Sequence, residues 1–253
     1  MAWDPEKYDE FKSERFKPFF DLIDLIGDKP DMKVLDLGCG TGELTYMLAE
    51  RLINPNVKGI DSSKEMLEKA KQYGNITFEQ KTIEEQIKTG EKWDLVFSNA
   101  ALQWVDDHHT LLPKIISTLN KDGQLIIQMP VQDENLLNKI LLELVEEEPF
   151  STALNHWKRI SPVLSMDDYA QILFENGGSK LTIYQKVYPI IAATHNELYE
   201  FISGSALVPY FERFDAATKK RFISEFKKRI SLKFKKLPAL YAFKRLIIYA
   251  QFH

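Results

Sequence analysis

Three glycines at alternate positions give the clearest chemical signal in the 253-residue chain. Gly38, Gly40 and Gly42 follow an apolar run at residues 34–37 and precede a stretch with helical spacing. Glycine lets the backbone turn sharply and approach a ligand closely, and amides at the start of the next helix favour a negative group. In an open parallel sheet, ligands bind in the crevice beyond the strand ends. The pattern predicts a loop that binds a nucleotide-like cofactor.

An acidic residue supports this prediction. Asp61 closes the next apolar run, 19 positions after Gly42. A carboxylate there can accept hydrogen bonds from both hydroxyls of a ribose, and the alternative is a helix N-cap. The distance from the glycine loop favours the ribose contact. The third glycine comes one residue sooner than in the G-x-G-x-x-G pattern of dinucleotide enzymes, which disfavours a nicotinamide cofactor.

The elements that must position these residues alternate between short apolar runs and helical stretches, as in a parallel sheet with crossover helices. The runs cover residues 34–37, 57–60, 76–79, 95–98 and 124–129, and the helical stretches 42–52, 64–72 and 109–119. Beyond residue 130 the pattern indicates helices at 135–147 and 166–176, a strand at 181–190, helices across 194–236 and a strand at 240–252.

We therefore predict a single α/β domain with a Rossmann-like, doubly wound, seven-stranded mixed sheet whose last strand is antiparallel. Its parts are an N-terminal helical segment at 1–29, a cofactor-binding core at 30–190, a helical cap at 191–240 and a final strand at 241–253.

The glycine loop resembles the first motif of S-adenosylmethionine-dependent methyltransferases. Residues 99–104, which read Asn-Ala-Ala-Leu-Gln-Trp, are similar to the matching region of the trans-aconitate methyltransferase family. Residues 59–63 and 128–130 resemble the same family, and the likeness extends over nearly the whole chain. The N-terminal residues that share it are Trp3, Pro5, Tyr8, Phe11, Glu14, Arg15 and Pro18.

The resemblance implies methyl transfer from S-adenosylmethionine to a substrate carboxylate, giving a methyl ester. A carboxylate is already ionised near pH 7, so no general base is expected and the protein's task is positioning and exclusion of water. Enzymes that methylate the amine of adenine are expected to carry Asn/Asp-Pro-Pro-aromatic at the fourth strand. This chain has Asn99-Ala100-Ala101-Leu102 there, which disfavours base methylation.

The resemblance also implies roles for individual residues. Asp36 and Gly38 are expected at the methionine end of the cofactor, with Asn99 and Ala100 lining it from the fourth strand. The full set expected to contact the cofactor is Asp36, Gly38, Cys39, Gly40, Gly42, Asp61, Ser62, Thr82, Ile83, Asn99, Ala100 and Tyr8.

Thr82, Ile83 and Tyr8 have alternative roles. Many relatives carry an aspartate for adenine where this chain has Thr82, so the Thr82 hydroxyl or the Ile83 amide would replace that contact. Tyr8 is either a residue that closes over the cofactor or an ordinary packing residue.

For the acceptor, Gln103 and Trp104 are expected to hydrogen-bond the substrate carboxylate, and Arg15 to bind a carboxylate in two-pronged fashion. The alternatives are that Trp104 anchors the core and that Arg15 is solvated. Relatives known for trans-aconitate tend to carry an arginine where this chain has Val208, which favours a less charged acid. Compensating cations would be Arg159, Lys244 or Arg245.

A basic run extends from Lys219 to Lys236, where nine residues are Lys or Arg and only Glu225 is acidic. It either docks an acidic partner such as a carrier protein that bears the acyl substrate, or forms the solvated face of an amphipathic helix. The spacing of four between apolar residues favours the helix. These residues are Phe222, Phe226, Ile230 and Phe234.

Composition limits the remaining choices. The net charge of −4 gives no basic excess for nucleic acid or an anionic membrane, and the only cysteine, Cys39, cannot form an intrachain disulfide. His108 and His109 are adjacent and do not form a converging metal-ligand set, so no metal is expected. We predict a cytoplasmic, monomeric enzyme acting on a small carboxylic acid; a cofactor-binding protein without catalysis is the alternative from another class.

Overall fold

The structure is a computed structural model that describes residues 12–253, with side chains of the first helix from Phe16 onward. Tyr8 and the side chain of Arg15 lie outside the described part. The first half contains α1 Lys12–Ile23, β1 Lys33–Leu37, α2 Glu43–Arg51, β2 Asn56–Asp61, α3 Lys64–Ala70, β3 Thr77–Gln80, α4 Ile83–Lys88, β4 Trp93–Asn99, α5 His108–Ile116 and β5 Leu119–Pro130.

The second half follows with α6 Leu136–Val145, α7 Phe150–Ala153, α8 Met166–Glu175, β6 Gly178–Ala192, α9 His195–Ser203, α10 Val208–Phe211, α11 Ala216–Lys233 and β7 Ala239–Phe252. Short 3-10 turns lie at Leu102–Trp104 and Gln132–Glu134. Within residues 12–253, none of the helices is long and apolar enough to cross a membrane.

The strands form one sheet in the order β3-β2-β1-β4-β5-β7-β6. Neighbouring strands from β3 to β5 pair in parallel, and β7 pairs antiparallel with β5. This confirms the predicted seven-stranded mixed sheet. The direction of strand order reverses between β1 and β4, and such a switch point opens a crevice beyond the carboxyl ends of the strands, where ligands bind.

The chain divides into two compact units. The sheet unit comprises residues 17–130, 162–186 and 245–253, and the described part of the helical unit comprises 12–16, 131–161 and 187–244. Helices α6 and α7 pack with α11 in the helical unit, where Leu137, Ile140 and Leu144 form an apolar stripe that is fully buried.

The sheet unit is built on central strands that read as nearly continuous apolar runs. Val34 and Leu35 of β1, Leu95 of β4 and Ile126 of β5 are at most 2% exposed, as expected for strands covered on both faces. Phe19 of α1 packs edge-on against Phe97 of β4 with the ring centroids 5.8 Å apart. This packing fixes the first helix against the strands whose carboxyl ends form the crevice.

The helical unit contains the basic run on α11. Phe222, Phe226 and Ile230 are fully buried, so the amphipathic helix predicted from their spacing is confirmed. Some of its cations contact their own unit: Arg229 forms ion pairs with Glu147 and Glu225. Other basic side chains on and after this helix are exposed, namely Lys220, Arg221, Lys228, Lys233, Lys235 and Lys236.

Candidate functional site

The glycine loop adopts a backbone that favours glycine at all three alternate positions. Gly38, Gly40 and Gly42 have φ values of 81°, 56° and 76°. A Cβ on Gly38 would lie 2.2 Å from the Cβ of Ala101, and one on Gly42 would lie 2.8 Å from the Phe78 ring. A Cβ on Gly40 would meet nothing within 4 Å. Packing therefore requires two of the glycines, whereas the open space at Gly40 fits a ligand that approaches the backbone closely.

Asp61 fastens this loop to the end of β2. One carboxylate oxygen accepts a hydrogen bond from the Gly40 N–H at 3.0 Å, and the other accepts from the Ser63 N–H at 2.8 Å. The N-cap of α3 is Ser63, whose hydroxyl accepts from the Met66 N–H, so the alternative that Asp61 caps this helix is wrong. An ionised carboxylate has about four acceptor positions, and those left over can accept from ribose hydroxyls.

Asp36 lies at the end of β1 with 4% exposure and accepts a hydrogen bond from the Thr45 hydroxyl at 2.6 Å. Burial raises the pKa of this carboxyl from 3.8 to about 7, and Asp61 adds a smaller upward effect, while the Thr45 bond acts in the opposite direction. Burial therefore favours the neutral form of Asp36 in the protein without a ligand. A neighbouring cation, such as the ammonium group of an amino acid, would shift it to the charged form.

Cys39 is a packing residue of the loop rather than a reactive thiol. It is 7% exposed and clusters with Leu67, Ala70 and Phe78. Burial, together with the two nearby aspartates, raises the pKa of its thiol above the ordinary range. Because the thiolate is the nucleophilic form, Cys39 stays protonated and unreactive near neutral pH.

The end of β4 contributes a buried acceptor that has no hydrogen-bond partner within the described residues, the amide oxygen of Asn99. The next residue, Ala100, has a φ of 57° and donates its N–H to the carbonyl of Gln128 at 2.9 Å. A left-handed alanine costs about 1–3 kcal/mol, and such strain concentrates at ligand sites. A buried acceptor beside a strained backbone fits a site where a ligand supplies the missing donor.

Residues 101–105 form a compact turn after β4. The side-chain amide of Gln103 is buried and donates to the Ala100 carbonyl at 2.6 Å, and the Trp104 N–H donates to the Ala101 carbonyl at 3.0 Å. Trp104 is half-buried, so it is not a fully enclosed core anchor. The close approach of Ala101 to Gly38 places this turn directly beside the glycine loop.

Just beyond the end of β3, Thr82 is the N-cap of α4, a helix that the apolar pattern of the sequence does not indicate. Its hydroxyl accepts from the Glu85 N–H at 3.2 Å while the Glu85 carboxylate accepts from the Thr82 N–H, which is a capping box. Thr82 is exposed and Ile83 is buried. Ser62 is exposed next to Asp61, and its carbonyl accepts from the Gln80 amide at 3.2 Å.

Further polar residues shape the site, and two of them, Thr45 and Ser98, were not singled out in the sequence. Thr45 bonds Asp36, and the hydroxyl of Ser98 donates to the Leu37 carbonyl at 3.0 Å, joining β4 to β1. The Arg245 guanidinium donates to the Gln128 side-chain oxygen at 2.6 Å, and both residues are buried. The sequence feature that could have indicated these residues is a polar residue within an apolar run. Such a residue becomes buried and then needs a hydrogen-bond partner.

A glycine loop at the switch point of a doubly wound sheet, held by an acidic residue on the next strand, defines a protein of the nucleoside-cofactor-binding α/β class. Residues 28–193 match the family described as "Methyltransferase domain". The trans-aconitate 2-methyltransferase of Deinococcus radiodurans is 38% identical and aligns over 99% of this chain and 98% of its own. The enzyme of that name from Mycobacterium ulcerans is 33% identical, with 88% and 84% covered.

Solved structures agree on the fold. The YcgJ protein of Bacillus subtilis has a TM-score of 0.62 at 16% identity, covering 93% of this chain and 97% of its own. The phosphoethanolamine N-methyltransferase 2 of Haemonchus contortus in complex with S-adenosyl-L-methionine has a TM-score of 0.55 at 17% identity, covering 94% and 53%. The chain belongs to the class I S-adenosylmethionine-dependent methyltransferases, and among them to the trans-aconitate methyltransferase family.

Proposed function

We propose that this methyltransferase O-methylates a carboxylate of a small organic acid to a methyl ester. The observation that carries the proposal is the 38% identity to a trans-aconitate 2-methyltransferase along 99% of the chain. The acceptor is expected to be trans-aconitate or a less charged acid. We also propose that the protein is a cytoplasmic monomer whose partner is a small molecule rather than a membrane or a nucleic acid.

The geometry of the turn after β4 supports an acceptor that needs no deprotonation. His108 begins α5 shortly after this turn and is buried, and both of its ring nitrogens are within hydrogen-bond distance of other groups. It is therefore not available to take a proton from a substrate. A carboxylate is ionised well below neutral pH and can react without such a base.

The cofactor-binding residues fit S-adenosylmethionine, which when bound supplies an electrophilic methyl group on a positively charged sulfur. In this proposal Asp36 accepts hydrogen bonds from the ammonium group of its methionine part. Gly40 lets the methionine part of the cofactor approach the loop backbone, and Asp61 accepts hydrogen bonds from the ribose hydroxyls.

The remaining residues of the proposed set lie further along the cofactor. The buried side-chain oxygen of Asn99 accepts a hydrogen bond at the methionine end, and Thr82 and Ile83 lie at the adenine end. Ser62, Ala100 and Tyr8 complete this proposed set.

The acceptor residues in this proposal are Gln103, Trp104 and Arg15. Their work is to hold a carboxylate oxygen in line with the methyl group and to exclude water, since correct orientation lowers the barrier to a displacement. Val208 begins α10 and provides no cation. A monocarboxylate or dicarboxylate is accordingly expected to be used at least as well as a tricarboxylate.

A screen tests the proposal. The protein is incubated with S-adenosylmethionine and a panel of mono-, di- and tricarboxylic acids, with the matching amides and alcohols as controls. Mass spectrometry should find the mass gain of one CH₂ unit only in the acids, and alkaline hydrolysis should remove it. A gain that survives base, or one that appears equally in the amides, would contradict ester formation.

An acyl group on a carrier protein is a second candidate acceptor, favoured by the exposed cations of and after α11. Reversal of charge at Lys228 and Lys235, with Lys88→Glu as a matched control on α4, would separate the two. Loss of activity on a carrier-bound acid with unchanged activity on the same free acid would support carrier docking. If the charge-reversal variant keeps its activity on both the carrier-bound and the free acid, carrier docking is excluded. Cofactor binding by the wild type without methyl transfer to either substrate would favour a non-catalytic protein.

A further inference from the structure

A buried histidine and a buried tyrosine lie behind the turn after β4. His108 is 1% exposed and Tyr169 of α8 is fully buried. The Nδ1 of His108 is 2.6 Å from the Tyr169 hydroxyl, and its Nε2 is 3.0 Å from the carbonyl oxygen of Leu102. The N–H of Leu164 also donates to the Tyr169 oxygen, at 3.1 Å. Four groups are thus linked in one buried chain of hydrogen bonds.

The chemistry of the partners fixes the direction of this chain. A carbonyl oxygen only accepts, so the Nε2 of His108 must carry the hydrogen that bonds Leu102. In the neutral ring Nδ1 is then an acceptor, and the Tyr169 O–H donates to it. The tyrosine oxygen in turn accepts from Leu164. Each polar atom has a role in this single arrangement, which requires His108 to be neutral.

The chain of bonds ends on the turn that carries Gln103 and Trp104. Leu102 opens this turn, and its carbonyl also accepts from the Val105 N–H at 2.9 Å. On the other side, Tyr169 belongs to α8, which packs on α5. His108 therefore connects the turn to a helix of the sheet unit that lies more than 60 residues further along the chain.

We propose that His108 and Tyr169 are positioning residues that hold the Gln103–Trp104 turn in the geometry needed to bind the acceptor. The inference rests on the proposed function, in which this turn binds the substrate carboxylate. A loop gains precision when a buried network fixes it, and a displacement of about 1 Å at a reacting group can cost up to a hundredfold in rate. The pair touches neither reactant and acts through Leu102.

The charge state of His108 provides a distinguishing readout. Burial lowers the pKa of its imidazole from the usual 6.5, opposed by the carbonyls of Leu102 and Val105 and by Asp106 and Asp107 of its own loop. From α8 it faces the Tyr169 hydroxyl, with Asp168 beside that tyrosine. Protonation would place a hydrogen on Nδ1 and leave the Tyr169 O–H without its acceptor, so the turn should loosen only at acidic pH.

Three variants test the inference. Tyr169→Phe removes the hydroxyl at constant shape, His108→Gln keeps a donor within reach of Leu102, and His108→Ala removes both bonds. His109→Ala is the matched control, since His109 is the exposed neighbour. The assay records KM for the acceptor, kcat, the Kd of S-adenosylmethionine and hydrogen exchange of the Trp104 and Val105 amides.

For Tyr169→Phe we expect an acceptor KM raised about fivefold to tenfold, as for the loss of a buried hydrogen bond, with the Kd of S-adenosylmethionine changed less than about twofold. Exchange at the Trp104 and Val105 amides should become faster. His108→Gln should retain more acceptor affinity than His108→Ala and should lose the rise in KM at acidic pH that the wild type shows. His109→Ala should match the wild type.

An unchanged acceptor KM in Tyr169→Phe and His108→Ala would overturn the inference, and so would equal losses of acceptor and cofactor affinity. A Tyr169→Phe protein that folds poorly leaves His108→Gln and its pH profile to decide the matter. Failure of the proposed function is a separate result. In that case the wild type itself would methylate none of the acids, whereas failure of this inference requires an active wild type and unaffected variants.

Discussion

Asp61 and Gly40 are joined by a hydrogen bond of 3.0 Å from the glycine N–H to the carboxylate. Gly40 is also the loop glycine at which an added Cβ would meet open space. The acidic residue of β2 therefore fixes the part of the loop that is open to a ligand. This contact joins the two strongest signals of the sequence, the glycine loop and the acidic residue that follows it.

Gly40→Ala is expected to weaken cofactor binding while leaving a folded protein. The left-handed φ of 56° costs an alanine about 1–2 kcal/mol, and the added methyl would occupy the space at the loop. Gly90→Ala is the matched control because Gly90 has a φ of 70°, also faces open space and lies in the loop before β4. Urea unfolding should give similar losses for both, and calorimetry should find weakened S-adenosylmethionine binding only in Gly40→Ala.

Asp61→Asn should weaken S-adenosylmethionine binding by at least about tenfold, since a hydrogen bond to a charged group contributes about 1.5–3 kcal/mol. The control is Asp94→Asn. Asp94 also accepts a backbone N–H, that of Lys33 at 2.8 Å, but lies near the start of β4, away from the carboxyl ends of the strands. Equal affinity losses in the two variants would indicate a general effect on folding rather than a cofactor contact.

The buried carboxyl of Asp36 predicts a pH dependence of cofactor binding. Its pKa of about 7 means that it becomes protonated as the pH falls below 7, and the neutral form attracts an ammonium group less. Affinity for S-adenosylmethionine should therefore drop roughly tenfold between pH 8 and pH 6. Titrations at several pH values check this, and the drop should be absent in Asp36→Asn.

The raised pKa of Asp36 also determines the direction in which cofactor affinity and protein stability change with pH. Thr45→Val removes the bond that lowers this pKa, so the fall in affinity should move to higher pH. In the protein without cofactor, the raised pKa contributes stability that is fully present below about pH 4 and is lost as the pH rises through 7. The difference in free energy of unfolding between the wild type and Asp36→Asn should therefore depend on pH. A difference that is independent of pH would contradict the raised pKa of Asp36.

Gly38 and Ala101 provide a prediction about packing. Gly38→Ala would bring two methyl groups within 2.2 Å in a backbone with φ of 81°, and we expect a loss of about 2–4 kcal/mol in the free energy of unfolding. Ala101→Gly in the same chain should recover the part due to the clash but not the part due to φ. A double-mutant cycle measures this coupling, and strictly additive effects would mean that the turn is not held against the loop.

The sequence predicts the sheet and the loop between its first strand and helix well because both depend on local signals. Gly38, Gly40 and Gly42 mark the loop, and apolar runs mark the strands. The α4 helix was missed because it is only six residues long, although its capping box at Thr82 and Glu85 is legible in the sequence. The packing partners of residues 131–161 could not be predicted for another reason: an amphipathic stripe shows that a helix is buried but not which unit buries it.

The polar network behind the site was beyond sequence reasoning. His108 and Tyr169 are 61 positions apart, and nothing in either segment indicates that the two side chains meet. The same holds for Gln128 and Arg245, which are brought together by antiparallel pairing of β5 with β7. Contacts of this kind depend on strand register and helix packing, which a single sequence does not determine.

The most direct test of the central claim uses S-adenosylmethionine with a ¹³C-labelled methyl group. The wild-type protein is incubated with the labelled cofactor and the best carboxylic acid from the screen, and the product is examined by carbon NMR. We predict one labelled methyl in the chemical-shift range of a methyl ester, coupled through oxygen to the carboxyl carbon. A label in the range of an N-methyl or C-methyl group, or no transfer to any acid, would contradict the account.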